Sequence, residues 1–97
     1  MLAMDEREPT WQPRADVAWT GEGQRVVAMA LSRPESQPLL LEGPASLIWG
    51  ALIEGAGSED EVVARVAEMV GVSADIVEGD VVSFLGQLES LGLASLA

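Results

Sequence analysis

The sequence predicts an α+β domain in which a three-stranded antiparallel sheet precedes three helices packed on one of its sides. Three observations carry that prediction. Before residue 43 the apolar residues fall in short runs of Val, Trp and Leu bounded by Gly and Pro. After it they recur every three or four positions, the spacing of a helix buried on one face. Between these later runs stand helix start and stop signals: Pro44, Ser58, Gly71, Ser73 and Gly92. Ninety-seven residues, 48% of them hydrophobic, supply one small core and no second. With three Trp and one Phe, its packing falls to Leu, Val, Ile and Ala.

Residues 1–10 are charged and poor in apolar side chains, and are expected to form a disordered acidic tail ahead of a domain over residues 11–97. "PRADVAWTGEGQRVVAMALSRP" reads as a hairpin, with strands over 16–20 and 24–31 joined at Gly-Glu-Gly, and with Trp11 placed to clamp it. "SRPESQP" is a polar, Pro-punctuated loop, and Leu39, Leu40 and Leu41 form a very short third strand. Pro44 opens the first helix, where its missing N–H costs nothing. That helix carries Leu47, Ile48, Trp49, Leu52 and Ile53 to about Glu54, and Gly-Ala-Gly stops it.

"SEDE" is a capping box in which Ser58 and Glu61 satisfy each other's backbone donors. The second helix follows, with Val62, Val63, Val66, Met69 and Val70 as its stripe and Gly71 as its stop. Ser73 caps the third helix, which runs to about Leu91 with Val77, Val81, Phe84, Leu85, Leu88 and Leu91 at helical spacing. Gly79 and Gly86 each weaken it by roughly 1 kcal/mol relative to Ala, which predicts close packing or the approach of another chain there. The apolar tail "LASLA" is expected to dock, for instance as a small strand.

The formal net charge of −11 excludes more than it suggests. There is no Lys and no His, and beyond Glu42 the only cation is Arg65, against nine acids. Nucleic-acid binding draws on cations that displace phosphate counterions, so no nucleic-acid partner is expected. The same sign disfavours an anionic membrane surface. "MLAMDEREPT" has no apolar signal-peptide region, and no apolar run reaches the ~18 residues of a membrane span, so a cytoplasmic location is expected.

Without Cys or His there is no thiol nucleophile, no disulfide and little prospect of a transition-metal site or an imidazole base. A Ser nucleophile would find neither His nor Lys beside it. Glu59, Asp60 and Glu61, like Asp75, Glu78 and Asp80, sit where acids favour a helix dipole, and they lack the Gly-bearing spacing of a calcium loop. "GAGS" lacks the Lys of a phosphate loop. No enzyme, cofactor or metal is expected.

The leucine triplet is the most informative stretch. A strand alternates its faces, so Leu39 and Leu41 share one and Leu40 takes the other. In one reading the strand is sandwiched, with Leu39 and Leu41 facing the helices and Leu40 partly shielded by the tail or a loop. In the other it forms the sheet edge, an open template for an incoming strand, with Leu40 helping to line a groove completed by the third helix.

Several stretches together carry a likeness. "WQPRADVAW" opens into the hairpin, "LLLEGPASLIWGALIEG" surrounds the first helix and "SEDEVVARVAEMVGV" forms the second. "DVVSFLGQLESLGLASL" matches an ending of the form Asp-Val-x-x-Phe-Leu-x-x-Leu-x-x-x-Gly-Leu. In these features, above all Ile48-Trp49 and Gly92-Leu93, the chain from about Trp11 to Leu96 resembles the PqqD-like family, peptide-binding domains also called RiPP recognition elements. The resemblance implies a winged-helix-like fold and no catalysis. It implies binding of the leader of a ribosomally made precursor peptide, added as a strand to the third strand and lying against the third helix.

Carried onto this chain, the resemblance places the groove at Pro38, Leu39, Leu40 and Leu41 and at the face holding Val81, Phe84, Leu85 and Leu88, without dividing those last four between groove and core. Where many members have Tyr-x-x-Leu-Asn, this chain has "QPLLLEG", so the aromatic contribution is gone. The leader motif stays open, as does the pathway: pyrroloquinoline quinone, lasso peptide, mycofactocin or another.

The expectation is a non-catalytic adaptor whose partners are a precursor leader peptide and a modifying enzyme such as a radical SAM enzyme, a cyclase or a leader peptidase. Its negative charge would steer a basic peptide or enzyme surface. The rivals are a winged-helix transcriptional regulator binding DNA, against which the third helix carries no Arg or Lys, and a dimerisation module whose leucine edge pairs with itself.

Overall fold

A computed structural model of the chain describes residues 9–22, 24–55 and 57–96; the expected tail lies almost wholly outside them. The described residues form five strands and three helices in two antiparallel sheets, an α+β architecture as expected. The main sheet has the order β2 (Val17–Glu22), β3 (Arg25–Ala30), β4 (Leu39–Glu42), so the predicted third strand is β4 and it stands at an edge. The small sheet, which sequence reasoning missed as a sheet, pairs β1 (Trp11–Pro13) with β5 (Ala94–Leu96). Helices α1 (Pro44–Ile53), α2 (Glu59–Val70) and α3 (Ala74–Ser90) lie between β4 and β5 in the chain.

The β1–β5 pairing explains where the apolar tail docks, and it corrects the expectation for Trp11. Trp11 does not clamp the hairpin. It is buried, pairs with Leu96, and donates its backbone N–H to the Gly57 carbonyl at 2.7 Å. In the hairpin, pairing runs out to Glu22 opposite Arg25. Its core face carries Val26, Ala28 and Ala30, with Leu39 and Leu41 beside them on β4. Trp19, opposite Ala28, stands 45% exposed with its ring edge-on to Trp49 at 6.2 Å.

Strand passes to helix at Gly43. Its φ of 60° lies in the left-handed region that Gly adopts at little cost, and no atom would meet a Cβ there, so the backbone conformation is what requires Gly. Its N–H closes the ladder on the Gln24 carbonyl, and its own carbonyl accepts the first N–H groups of α1, from Ser46 and Leu47. Pro44 occupies the first turn, as predicted. The capping box forms as read: Ser58 Oγ accepts from the Glu61 N–H at 3.2 Å, and Glu61 Oε1 accepts from the Ser58 N–H at 2.8 Å. Ser73 takes the N-cap position of α3 without a side-chain hydrogen bond.

Ile48, Trp49, Leu52, Val62, Val63, Val66, Val81, Leu85 and Leu88 form the helical half of the core against Val26, Ala28 and Leu41. Ile53, Met69, Val70 and Leu91, assigned to the inward stripes, are exposed instead, although Leu52, Ala67 and Leu88 in the same last turns are buried, so each lies on the side of its helix turned away from the core. The close packing expected at Gly79 and Gly86 is absent: a Cβ on either would meet nothing within 4 Å. Arg65 reaches both Glu54 (3.0 Å) and Glu68 (2.7 Å), tying the end of α1 to α2.

Candidate functional site

The directions of the backbone groups in β4 follow from its register. Val26 stands opposite Leu41 and Ala28 opposite Leu39, and the Gly43 N–H bonds the Gln24 carbonyl at 3.1 Å. Hydrogen-bonded pairs alternate along an antiparallel ladder, so Leu39, Leu41 and Gly43 turn their N–H and C=O toward β3. Leu40 and Glu42 turn theirs away from it, to the open edge. The far side of β3 agrees: the Leu31 N–H bonds the Asp16 carbonyl at 2.8 Å, which places the odd residues of β3 on the β2 ladder and the even ones on β4. Where β4 has not yet begun, Ser36 Oγ takes its place by accepting the Ala30 N–H at 3.2 Å.

The side chains follow the opposite alternation, and this corrects the expectation for Leu40. Leu41 is buried and Leu39 half-buried on the helix side of the sheet. Leu40, 47% exposed, lies on the outer face beside Val27, away from α3. It contributes backbone to the edge but does not line a groove against the third helix. On the same outer face Arg25 Nε and Glu42 Oε2 pair across the strands at 3.2 Å.

The four α3 candidates divide by burial. Val81, Leu85 and Leu88 are fully enclosed among the core side chains, where their large apolar surfaces leave water altogether. Phe84 is half-buried at the margin of that core. Leu91, seven residues further on and so on the same flank of the helix, lines a cleft of about 340 Å³ together with Leu93, Pro38 and Leu39. Val77, seven residues before Phe84, continues the line and is likewise half-buried. Of this flank Leu91 reaches the cleft beside β4, and Phe84 and Val77 continue it along α3 at the margin of the core.

Arg33, Glu35, Ser36 and Gln37 complete the cleft from the loop between β3 and β4. Arg33 Nη1 donates to the Ser90 carbonyl at 3.0 Å, and its guanidinium sits over Gly92, where any Cβ would come within 2.6 Å of Nε. The helix carries no basic residue in its last turn, so Arg33 supplies a cation to its negative end from across the chain. The loop is held at its start by Asp16, whose carboxylate accepts from the Ser32 hydroxyl. That bond, with Arg14 nearby, holds the Asp16 carboxyl below its ordinary value of 3.8 against a smaller opposing effect of burial.

Sequence reasoning missed Arg33, Leu91 and Leu93. Leu91 was readable as the i+7 neighbour of Phe84. Nothing local marks Arg33, whose partner lies 57 residues away. Among the described residues no group of His, Cys, Asp and Glu side chains could hold a metal ion, and no helix is long and apolar enough to cross a membrane.

Searches among curated proteins and among solved structures returned no match. A family model described as coenzyme PQQ synthesis protein D matches residues 27–94, a span that opens in β3 and closes in β5 and so holds the edge strand, the cleft and all three helices. This chain belongs to the PqqD family.

Proposed function

We propose that the chain is a non-catalytic adaptor that captures the leader of a ribosomally made precursor peptide by strand addition to β4 and presents it to a maturation enzyme. The observation that carries this reading is the open backbone edge at Leu40 and Glu42 next to a cleft with apolar walls at Pro38, Leu39, Leu91 and Leu93, from which Phe84 and Val77 continue along the flank of α3. Backbone bonds supply affinity for any extended segment, and the flank supplies selection among side chains. In an antiparallel addition the guest residues opposite Leu39 and Leu41 point toward α3, so the recognised segment carries two apolar residues separated by one. Leu39 and Pro38 floor the groove, while Val81, Leu85 and Leu88 hold α3 in place from within the core. Membership of a family named for coenzyme PQQ synthesis supports a biosynthetic enzyme as second partner, of the radical SAM, cyclase or leader-peptidase kind. The net charge of −11 favours a basic surface on that enzyme.

The test titrates into the protein the leader segment of whichever short precursor reading frame is found beside its gene. Leu40→Pro removes an outward donor and leaves the bonds to β3 intact, so the fold persists and binding falls at least roughly tenfold, the cost of a lost hydrogen bond with an acceptor left unpaired. Leu40→Ala keeps the donor and binds as the parent does. Equal affinity in the parent and the proline variant would remove strand addition from consideration.

A further inference from the structure

We infer that Arg33 selects a carboxylate in the bound segment, C-terminal to the apolar pair; the inference rests on the strand-addition reading above. A guest antiparallel to β4 runs from Glu42 toward Pro38, so its later residues pass into the cleft walled by Arg33, Leu91 and Leu93. Of the arginines among the described residues, Arg14, Arg25 and Arg65 each lie within 4 Å of a carboxylate, at Asp16, Glu42, and Glu54 with Glu68. Arg33 has no carboxylate at that distance among them. One of its five N–H donors is used on the Ser90 carbonyl, which fixes the group in place. The others are left for a ligand, and a planar guanidinium matches a carboxylate two bonds at a time.

Two features argue for an anion here against the charge of the whole chain. Glu35 stands on the same rim, but no hydrogen bond among the described residues fixes its carboxylate, whereas Arg33 is anchored at the end of α3. The surrounding acidity also makes selectivity sharper. An acidic side chain placed anywhere else along the guest would meet repulsion, and only the position beside Arg33 accepts it. The recognised segment is then apolar, any residue, apolar, followed by an acid, with basic residues favoured outside it.

The experiment selects binders from a displayed library of random peptides, about twelve residues long, in parallel on the parent protein, Arg33→Gln, Arg33→Glu and Leu40→Pro. Gln removes the charge on a side chain two bonds shorter, while the loop keeps its bonds from the Ala30 N–H to Ser36 Oγ and from the Ser32 hydroxyl to Asp16. In one arm the peptides are fused at their C-termini and offer only side-chain carboxylates; in the other their C-termini are free.

The expected result is an alternating apolar pair followed by Asp or Glu on the parent, no acidic preference on Arg33→Gln, and Lys or Arg in that place on Arg33→Glu. Resynthesised parent binders should lose roughly tenfold in affinity on Arg33→Gln. Enrichment of segments ending at that position, only in the free-terminus arm, assigns the terminal carboxylate instead of a side chain. An apolar pair without an acid on the parent, or an acid retained on Arg33→Gln, overturns the role of Arg33 and leaves strand addition standing. Failure to enrich any motif sensitive to Leu40→Pro overturns both.

Discussion

Helix α3 presents two rows of apolar residues of nearly the same composition, and they do different things. Val81, Leu85 and Leu88 follow i, i+4, i+7 and are lost to solvent entirely. Val77, Phe84 and Leu91 follow i, i+7, i+14 on the neighbouring flank and stay half-buried or exposed. The first row packs into the core with α2 as its main neighbour; the second lies at the margin of that core, and its last member, Leu91, lines the cleft beside β4. Apolar spacing alone predicts both rows as one stripe. The helix is broader on its apolar side than its enclosed row, and in the proposed function the surplus is the part offered to a guest.

The largest effects fall on the enclosed row. Leu88→Ala should cost about 2–5 kcal/mol, the range for emptying a fully buried leucine site that only partly collapses. Phe84→Ala removes a larger side chain but a half-exposed one, and should cost about 1–2 kcal/mol while abolishing selection for an apolar guest residue. Urea unfolding of the two variants, with peptide titration of each, measures both quantities. A Phe84→Ala variant as unstable as Leu88→Ala would merge the two rows and leave the groove without its wall.

What was readable beforehand follows from how local each signal is. Helix limits were legible because Pro44, Ser58, Gly71 and Gly92 act on their own backbone within a turn. Strand alternation made the face of Leu39 and Leu41 legible as the helix side, whereas the edge position of β4 is a matter of pairing with β3 and stood in the sequence only as one of two readings. The division of α3 was hidden for a related reason: Val77, Phe84 and Leu91 differ from the enclosed row only in what lies across from them. Strands of three residues, such as β1, carry too few alternations to be recognised, and β1 exists because β5, at the opposite end of the sequence, pairs with it.

A third face of α3 sharpens the contrast at smaller cost. Gly79 and Gly86 look onto open space, in a helix interior where each is worth roughly 1 kcal/mol less than Ala. Gly79→Ala and Gly86→Ala should therefore each raise stability, by about 0.5–1 kcal/mol in urea unfolding, and leave peptide affinity unchanged. If either variant gains stability yet loses the peptide, the guest reaches round the helix and the groove is wider than the flank Val77, Phe84, Leu91. If stability falls, a neighbour lies closer to that face than its open surface indicates.

The smallest effect concerns the loop that carries Arg33 rather than either row. Asp16 accepts the Ser32 hydroxyl, and this bond, with Arg14, keeps its carboxyl below the ordinary value. A carboxyl whose folded value is depressed stabilises the fold above its unfolded value and loses that contribution as pH falls from about 4 through the folded value. Exposure to solvent keeps the contribution small. Ser32→Ala removes the main cause of the depression. Thermal melts at about pH 6 and about pH 3 should thus show a slightly smaller loss on acidification for Ser32→Ala than for the parent. The difference should be concentrated in the loop and not in the enclosed row. Amide exchange at Arg33 and Ser36 should quicken in the variant while exchange at Leu85 and Leu88 does not, because the core row is held by burial that pH leaves untouched. Parallel acid losses in the two proteins would mean that the hydroxyl does not hold the carboxylate, and that the cleft keeps its end wall through the Arg33 bond to Ser90 alone.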